Sequence, residues 1–65
     1  MSLARLRKEA KLTLHQLAEK SGVNYQKIWQ IEHDVIKPKN ITLKTAQKLA
    51  LALNCEPKDF LSSED

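Results

Sequence analysis

The 65-residue chain contains one glycine, two prolines and one cysteine, and a single residue each of Trp, Tyr and Phe. So little Gly and Pro argues against a turn-rich β fold and for helices. Cys55 has no partner for an internal disulfide, which fits a reducing, cytoplasmic setting. No apolar run approaches the roughly 18 residues of a membrane span. The opening MSLARLRKEA turns charged at once and holds no apolar stretch of a signal peptide. A chain of this size buries only about 60% of the surface its unfolded form exposes and has no room for a deep catalytic cleft. There is no nucleophile–base constellation and no Gly-rich phosphate loop, so an enzyme is the least expected class. His15 and His33 lack Cys or carboxylate partners at ligand spacing, so neither a metal nor another cofactor is expected. Cys55 is expected to pack as a small hydrophobe.

The charge is unevenly spread. Residues 1–48 hold ten Lys/Arg against four acids, a net +6, and residues 49–65 hold one Lys against four acids, a net −3. A basic body suits a polyanion partner, although charge alone fits a solvated surface equally well.

Periodicity divides the chain into five helices. Leu3, Leu6 and Ala10 form one apolar face and predict a first helix over about 2–11. Thr13 with Gln16 has the form of a capping box and starts a second helix, about 14–21, with Leu14, Leu17 and Ala18 on one side. Gly22 falls where a left-handed terminator is wanted. Asn24 is a suitable N-cap for a third helix over about 25–33. Its inward face is Ile28 and Ile31, preceded by Val23, and its outward face holds Tyr25, Gln26, Trp29, Gln30 and His33. DVIKPKNI reads as loop, since Pro38 disfavours helix at Lys37. Thr42 caps a fourth helix, about 43–53, with a 3.6-period stripe of Leu43, Ala46, Leu49, Ala50 and Leu53. Asn54 suits its end, and Pro57 opens a short fifth helix, about 57–61. Ser62 to Asp65 are expected to fray. No repeat, linker or low-complexity segment interrupts residues 1–65, so one domain is expected.

The second and third helices, joined by a short turn containing Gly22, have the helix-turn-helix arrangement. In that arrangement the first helix crosses the DNA backbone and the second enters the major groove with its N-terminal residues at base edges. The polar N-terminal half of the third helix, which a core does not need, sharpens this expectation. Gln26 and Gln30 lie one turn apart, and a Gln can bond adenine N6 and N7 together. Tyr25 and Trp29 lie opposite Ile28 and Ile31 and cannot both fill the core. They could meet sugars, thymine methyl groups or phosphates, or Trp29 could cover the rim of the core or meet a protein. Lys27, Lys37 and Lys39, with Asn40, are phosphate candidates that would position without specifying sequence.

LRKEAKLT, LAEKSGV, the I-x-x-I-E of IWQIE, and LKTAQKLALALNCEPKDFL occur in that order. Together they resemble the lambda-repressor/Cro-like (XRE-type) helix-turn-helix family over about residues 3–61. The resemblance implies an all-α, five-helix lambda-repressor-like DNA-binding domain, usually a dimer, acting as a transcriptional repressor or regulator. It places Asn24 at the cap of the reading helix and Tyr25, Gln26 and Gln30 where members most often touch bases. It places Thr13 and Leu14 where a backbone amide and a side chain meet a phosphate, and it sets Arg7 against Glu32 as a structural ion pair. Leu14 departs from the pattern, which favours a polar residue there. His33-Asp34 replaces the usual Asn-Gly, the loop that follows is about three residues longer than common, and Trp29 stands where a small or polar residue is usual.

The function expected is that of a small repressor without a sensor domain, bound as a homodimer to a pseudo-palindromic operator in double-stranded DNA. Its half-sites would lie about 34 Å apart. The dimer surface is expected near the fifth helix, at Phe60 and Leu61. An antitoxin or restriction-system controller, or a protein-interaction module on the same scaffold, are the alternatives.

Overall fold

The computed structural model describes residues 2–61. Five α-helices follow in order: α1 (Leu3–Glu9), α2 (Leu14–Ser21), α3 (Tyr25–Glu32), α4 (Leu43–Leu53) and α5 (Lys58–Leu61), with a 3-10 turn at Pro38–Asn40 before α4. The fraying expected of Ser62 to Asp65 concerns residues outside those described.

Each helix start has a local cause. The Ser2 hydroxyl accepts from the Arg5 amide at 3.2 Å. Thr13 and Gln16 form a reciprocal box, in which the Gln16 amide donates to Thr13 Oγ1 at 3.1 Å and the Thr13 amide donates to Gln16 Oε1 at 2.9 Å. Asn24 Oδ1 accepts from the Gln26 amide at 2.7 Å, and Thr42 Oγ1 from the Thr45 amide at 3.2 Å. Each such cap satisfies an amide that the helix leaves unbonded, and its loss costs about 1 kcal/mol.

The helix ends depend on left-handed residues, of which only one is glycine. Gly22 has φ +76° and ends α2. Lys11, Asp34 and Asn54 have φ of 61°, 61° and 56°. After α1, Lys11 N–H donates to the Lys8 carbonyl and Leu12 N–H to Arg7. After α3, Asp34 N–H donates to Ile31 and Val35 N–H to Gln30; after α4, Asn54 N–H donates to Leu51 and Cys55 N–H to Ala50. All three are the paired closure that turns a chain out of a helix and satisfies its last carbonyls. The Lys11 closure stops α1 at Glu9, short of the residue 11 that periodicity suggested.

The core gathers Leu3, Leu17, Val23, Ile28, Ile31, Ala46, Leu49, Ala50, Ala52 and Phe60. Leu17, Ile28 and Leu49 are wholly enclosed. α2 packs on both α3 and α4, while α1 packs on α3 and α5. Two residues depart from their expected places. Phe60, expected at a dimer surface, is buried at 5% exposure, because α5 folds its one aromatic side chain under α1 and closes the core. Leu43, expected on the inner stripe of α4, is 67% exposed, because it is the first residue of the helix and lies beyond the reach of the core. The loop after α3 is anchored by Ile36 and Ile41, which pack against the core from either side of the 3-10 turn.

Candidate nucleic-acid interface

α3 is held at a fixed angle by its own sequence. Ile28 and Ile31 drive one face into the core, Asn24 caps the start, and Glu32 ties the end to α1. Arg7 Nε donates to Glu32 Oε2 at 2.7 Å and Nη2 to Oε1 at 3.1 Å, while Nη1 donates to the Leu12 carbonyl at 2.8 Å. The hydrogen bond to Glu32 raises the Arg7 pKa above its ordinary value, against the opposing effect of burial. The Glu32 side chain is 3% exposed, so this fork joins α1, the α1–α2 turn and α3 in a largely dry contact.

The remaining faces of α3 are open. Gln26 is exposed and Gln30 half-buried. Among the described residues neither side-chain amide bonds to the protein, so each retains both its donor and acceptor sides. Tyr25 and Trp29 are 38% and 40% exposed. Neither ring stands alone. His15 of α2 stacks on Tyr25 with centroids 4.3 Å apart and planes 25° apart. His33 stacks on Trp29 at 4.1 Å and 16°, and its Nδ1 lies 2.9 Å from the Trp29 carbonyl oxygen. Both histidines are therefore part of this face; the period of α3 puts His33 there, whereas nothing in the sequence puts His15 there. The spacing of Trp29 and His33, one helical turn, is the signal that could have indicated the second stack. The first joins two helices and has no such signal.

The start of α2 lies beside this face. Leu14 packs half-buried against the core, so only its backbone amide is left for an anion. The amides of Leu14 and His15 donate to no protein group among the described residues. The Thr13 hydroxyl accepts from Gln16 and keeps its own proton to donate. This combination of free amides and a positive helix terminus is the ordinary chemistry of phosphate binding.

On the far side of α3, Lys27 and Asn40 line a crevice of about 30 Å³ with Ile31, Ile36 and Ile41. That volume is room for about one water, so the crevice brings Lys27 and the 3-10 turn together without forming a ligand pocket. Lys37 and Lys39 are exposed on either side of Pro38. Among the described residues, no group of three or more His, Cys, Asp or Glu could hold a metal ion.

A family model described as helix-turn-helix matches residues 3–60. The chain belongs to the lambda-repressor-like (XRE-type) helix-turn-helix family. It is a DNA-binding helix-turn-helix regulator, with α2 and α3 as the two helices of the motif. No curated protein and no solved structure gives a significant match. None of its described helices is long and apolar enough to cross a membrane.

Proposed function

We propose that this helix-turn-helix protein is a small cytoplasmic repressor that binds a pseudo-palindromic operator as a homodimer, with α3 in the major groove. The observation that carries this is the pair of unbonded side-chain amides, Gln26 and Gln30, on a helix whose other face and both ends are fixed. A rigid helix with free bidentate groups one turn apart is what base reading requires. Tyr25 and Trp29 border the amides and meet sugar or thymine methyl groups. Thr13, the Leu14 amide and Asn24 hold phosphate on one side of the groove. Lys27, Lys37, Lys39 and Asn40 hold it on the other, and these contacts set the register of the helix.

The second copy meets the protein at Leu51, which is 81% exposed on α4. Shallow grooves beside it are lined by Cys55 and Glu56, with Asn54 and Asp59 in one and Gln47 and Pro57 in the other. Lys48 precedes Leu51 by three residues, within one helical turn, and Glu56 follows it. A two-fold axis through Leu51 would set Lys48 of each copy toward Glu56 of the other, a self-complementary arrangement. The substitution Leu51→Glu should leave the monomer folded and abolish the dimer in sedimentation.

The deciding experiment is selection from a random-sequence duplex pool at two salt concentrations, with wild type beside Gln26→Ala. An enriched pseudo-palindrome, lost in the variant, is the expected result. Salt-sensitive binding without enrichment would reduce the protein to a non-specific DNA binder. No binding at low salt would overturn the proposal and leave Tyr25 and Trp29 as a protein-docking face, as in an interaction module.

A further inference from the structure

Tyr25, Trp29 and His33 follow one another at four-residue intervals and form a slowly turning strip along α3, extended by His15 from α2. Gln26 and His33 are seven residues apart, about two turns, so they lie on one line of the helix roughly 10 Å apart. His33 therefore continues the line that begins with an unbonded glutamine and ends at the helix terminus.

The chemistry of His33 is constrained by its hydrogen bond. Its Nδ1 lies against the Trp29 carbonyl, which can only accept, so Nδ1 carries the hydrogen. The outward Nε2 of the neutral ring is then a bare acceptor. A phosphate oxygen is also only an acceptor, so neutral His33 repels it and imidazolium donates to it. The ring lies flat on the indole face at the C-terminal end of α3, with Nε2 turned away from the Trp29 carbonyl. His15 lies on the Tyr25 ring in the same way, next to the free amides that open α2.

Charged residues flank the strip in sequence. From α1, Arg7 lies near Tyr25 but is paired with Glu32 of α3. Glu19 follows His15 by one turn of α2, Asp34 follows His33 directly, and Lys37 lies in the loop beyond.

We infer that His33 and His15 are further phosphate-contacting residues that bind DNA as imidazolium, so that association takes up protons from solvent and tightens as pH falls. This rests on the DNA-binding role proposed above. It adds two residues to the contact surface and makes the affinity of that surface depend on pH.

The test is fluorescence anisotropy with a labelled random-sequence duplex pool at low salt, at about pH 6 and about pH 8, since phosphate contacts need no operator and imidazole changes charge between these values. Wild type is compared with the double variant His15→Gln/His33→Asn and with His33→Gln alone, each checked for helix content. Wild-type affinity should rise by up to about tenfold per pH unit for each proton taken up, and the double variant should bind weakly at both values. Calorimetry in two buffers of different ionisation enthalpy should show a buffer-dependent heat for wild type and none for the double variant. Equal wild-type affinity at both values, or a full pH response kept by the double variant, would overturn the inference and leave the DNA-binding role intact. Absence of binding at both values would overturn both.

Discussion

Arg7 and Glu32, twenty-five residues apart, are joined by two hydrogen bonds of 2.7 and 3.1 Å, and the third arm of the same guanidinium holds the Leu12 carbonyl at 2.8 Å. One side chain thus fixes the C-terminal end of α3, the turn before α2 and α1 at once. The face of α3 can be polar and unpaired because its position is set from behind.

Arg7→Ala should destabilise the fold by about 3 kcal/mol, since it leaves a carboxylate buried without a partner. Arg7→Lys should recover part of this, because an ammonium cannot reproduce the fork. Urea denaturation measures both. The raised Arg7 pKa means the arginine's contribution is complete throughout the physiological range and is lost only as pH rises through its folded-state value, at strongly alkaline pH. A double variant Arg7→Met/Glu32→Leu should be more stable than Arg7→Ala, because no buried charge is left alone.

Asp34→Gly should stabilise the protein by about 0.5–1 kcal/mol, because φ of 61° is strained for Asp and free for Gly. It also removes an acid from the loop beside the reading helix, so binding to any duplex should tighten. Thermal denaturation and a low-salt binding titration would show the two effects. An unchanged or lowered melting temperature would mean that the Asp side chain contributes more than its backbone costs.

Gln26→Ala and Gln30→Ala should each weaken binding to the selected duplex by about 1–3 kcal/mol while leaving random-sequence binding nearly unchanged. Lys37→Ala and Lys39→Ala should do the reverse, lowering affinity for all duplexes and flattening the salt dependence by about one unit of slope each. Titrations at several salt concentrations separate the two behaviours. A Gln26 variant that weakens both duplexes equally would move that residue from base reading to positioning.

Cys55 should react slowly with iodoacetamide in the folded protein and normally after denaturation. Burial pushes its thiol pKa up, and the carboxylates of Asp59 and Glu56 push it further, so little thiolate exists near neutral pH. The fold holds this proton more tightly than the unfolded chain does. Its contribution is therefore full at neutral pH and fades as pH rises through the folded-state value.

Much of the fold was legible residue by residue. The caps at Thr13, Asn24 and Thr42 and the stop at Gly22 act within four residues of themselves, so sequence order suffices to find them. The stop at Lys11 was missed because its side chain offers no hint of a left-handed residue, and the closing bonds from Lys11 and Leu12 impose it. In the candidate site, the polar face of α3 was legible from its period. The Arg7–Glu32 pair came from the family's pattern rather than from spacing. The same period puts His33 on that face, though not among the candidate contacts, and His15 has no signal that joins it to the face.

The sequence by itself determined the helices, their caps and the polar outward side of α3, because periodicity and capping are local and their partners lie within a turn or two. It also determined the family, through short motifs in a set order. Tertiary structure alone decided that Phe60 is core and Leu51 is surface, since both are apolar residues on helices and only the packing of α5 beneath α1 distinguishes them. It also decided that both outward aromatic rings carry a histidine. The His15–Tyr25 stack exists only because the angle between α2 and α3 brings the two rings within 4.3 Å, and that angle is a property of the packed core.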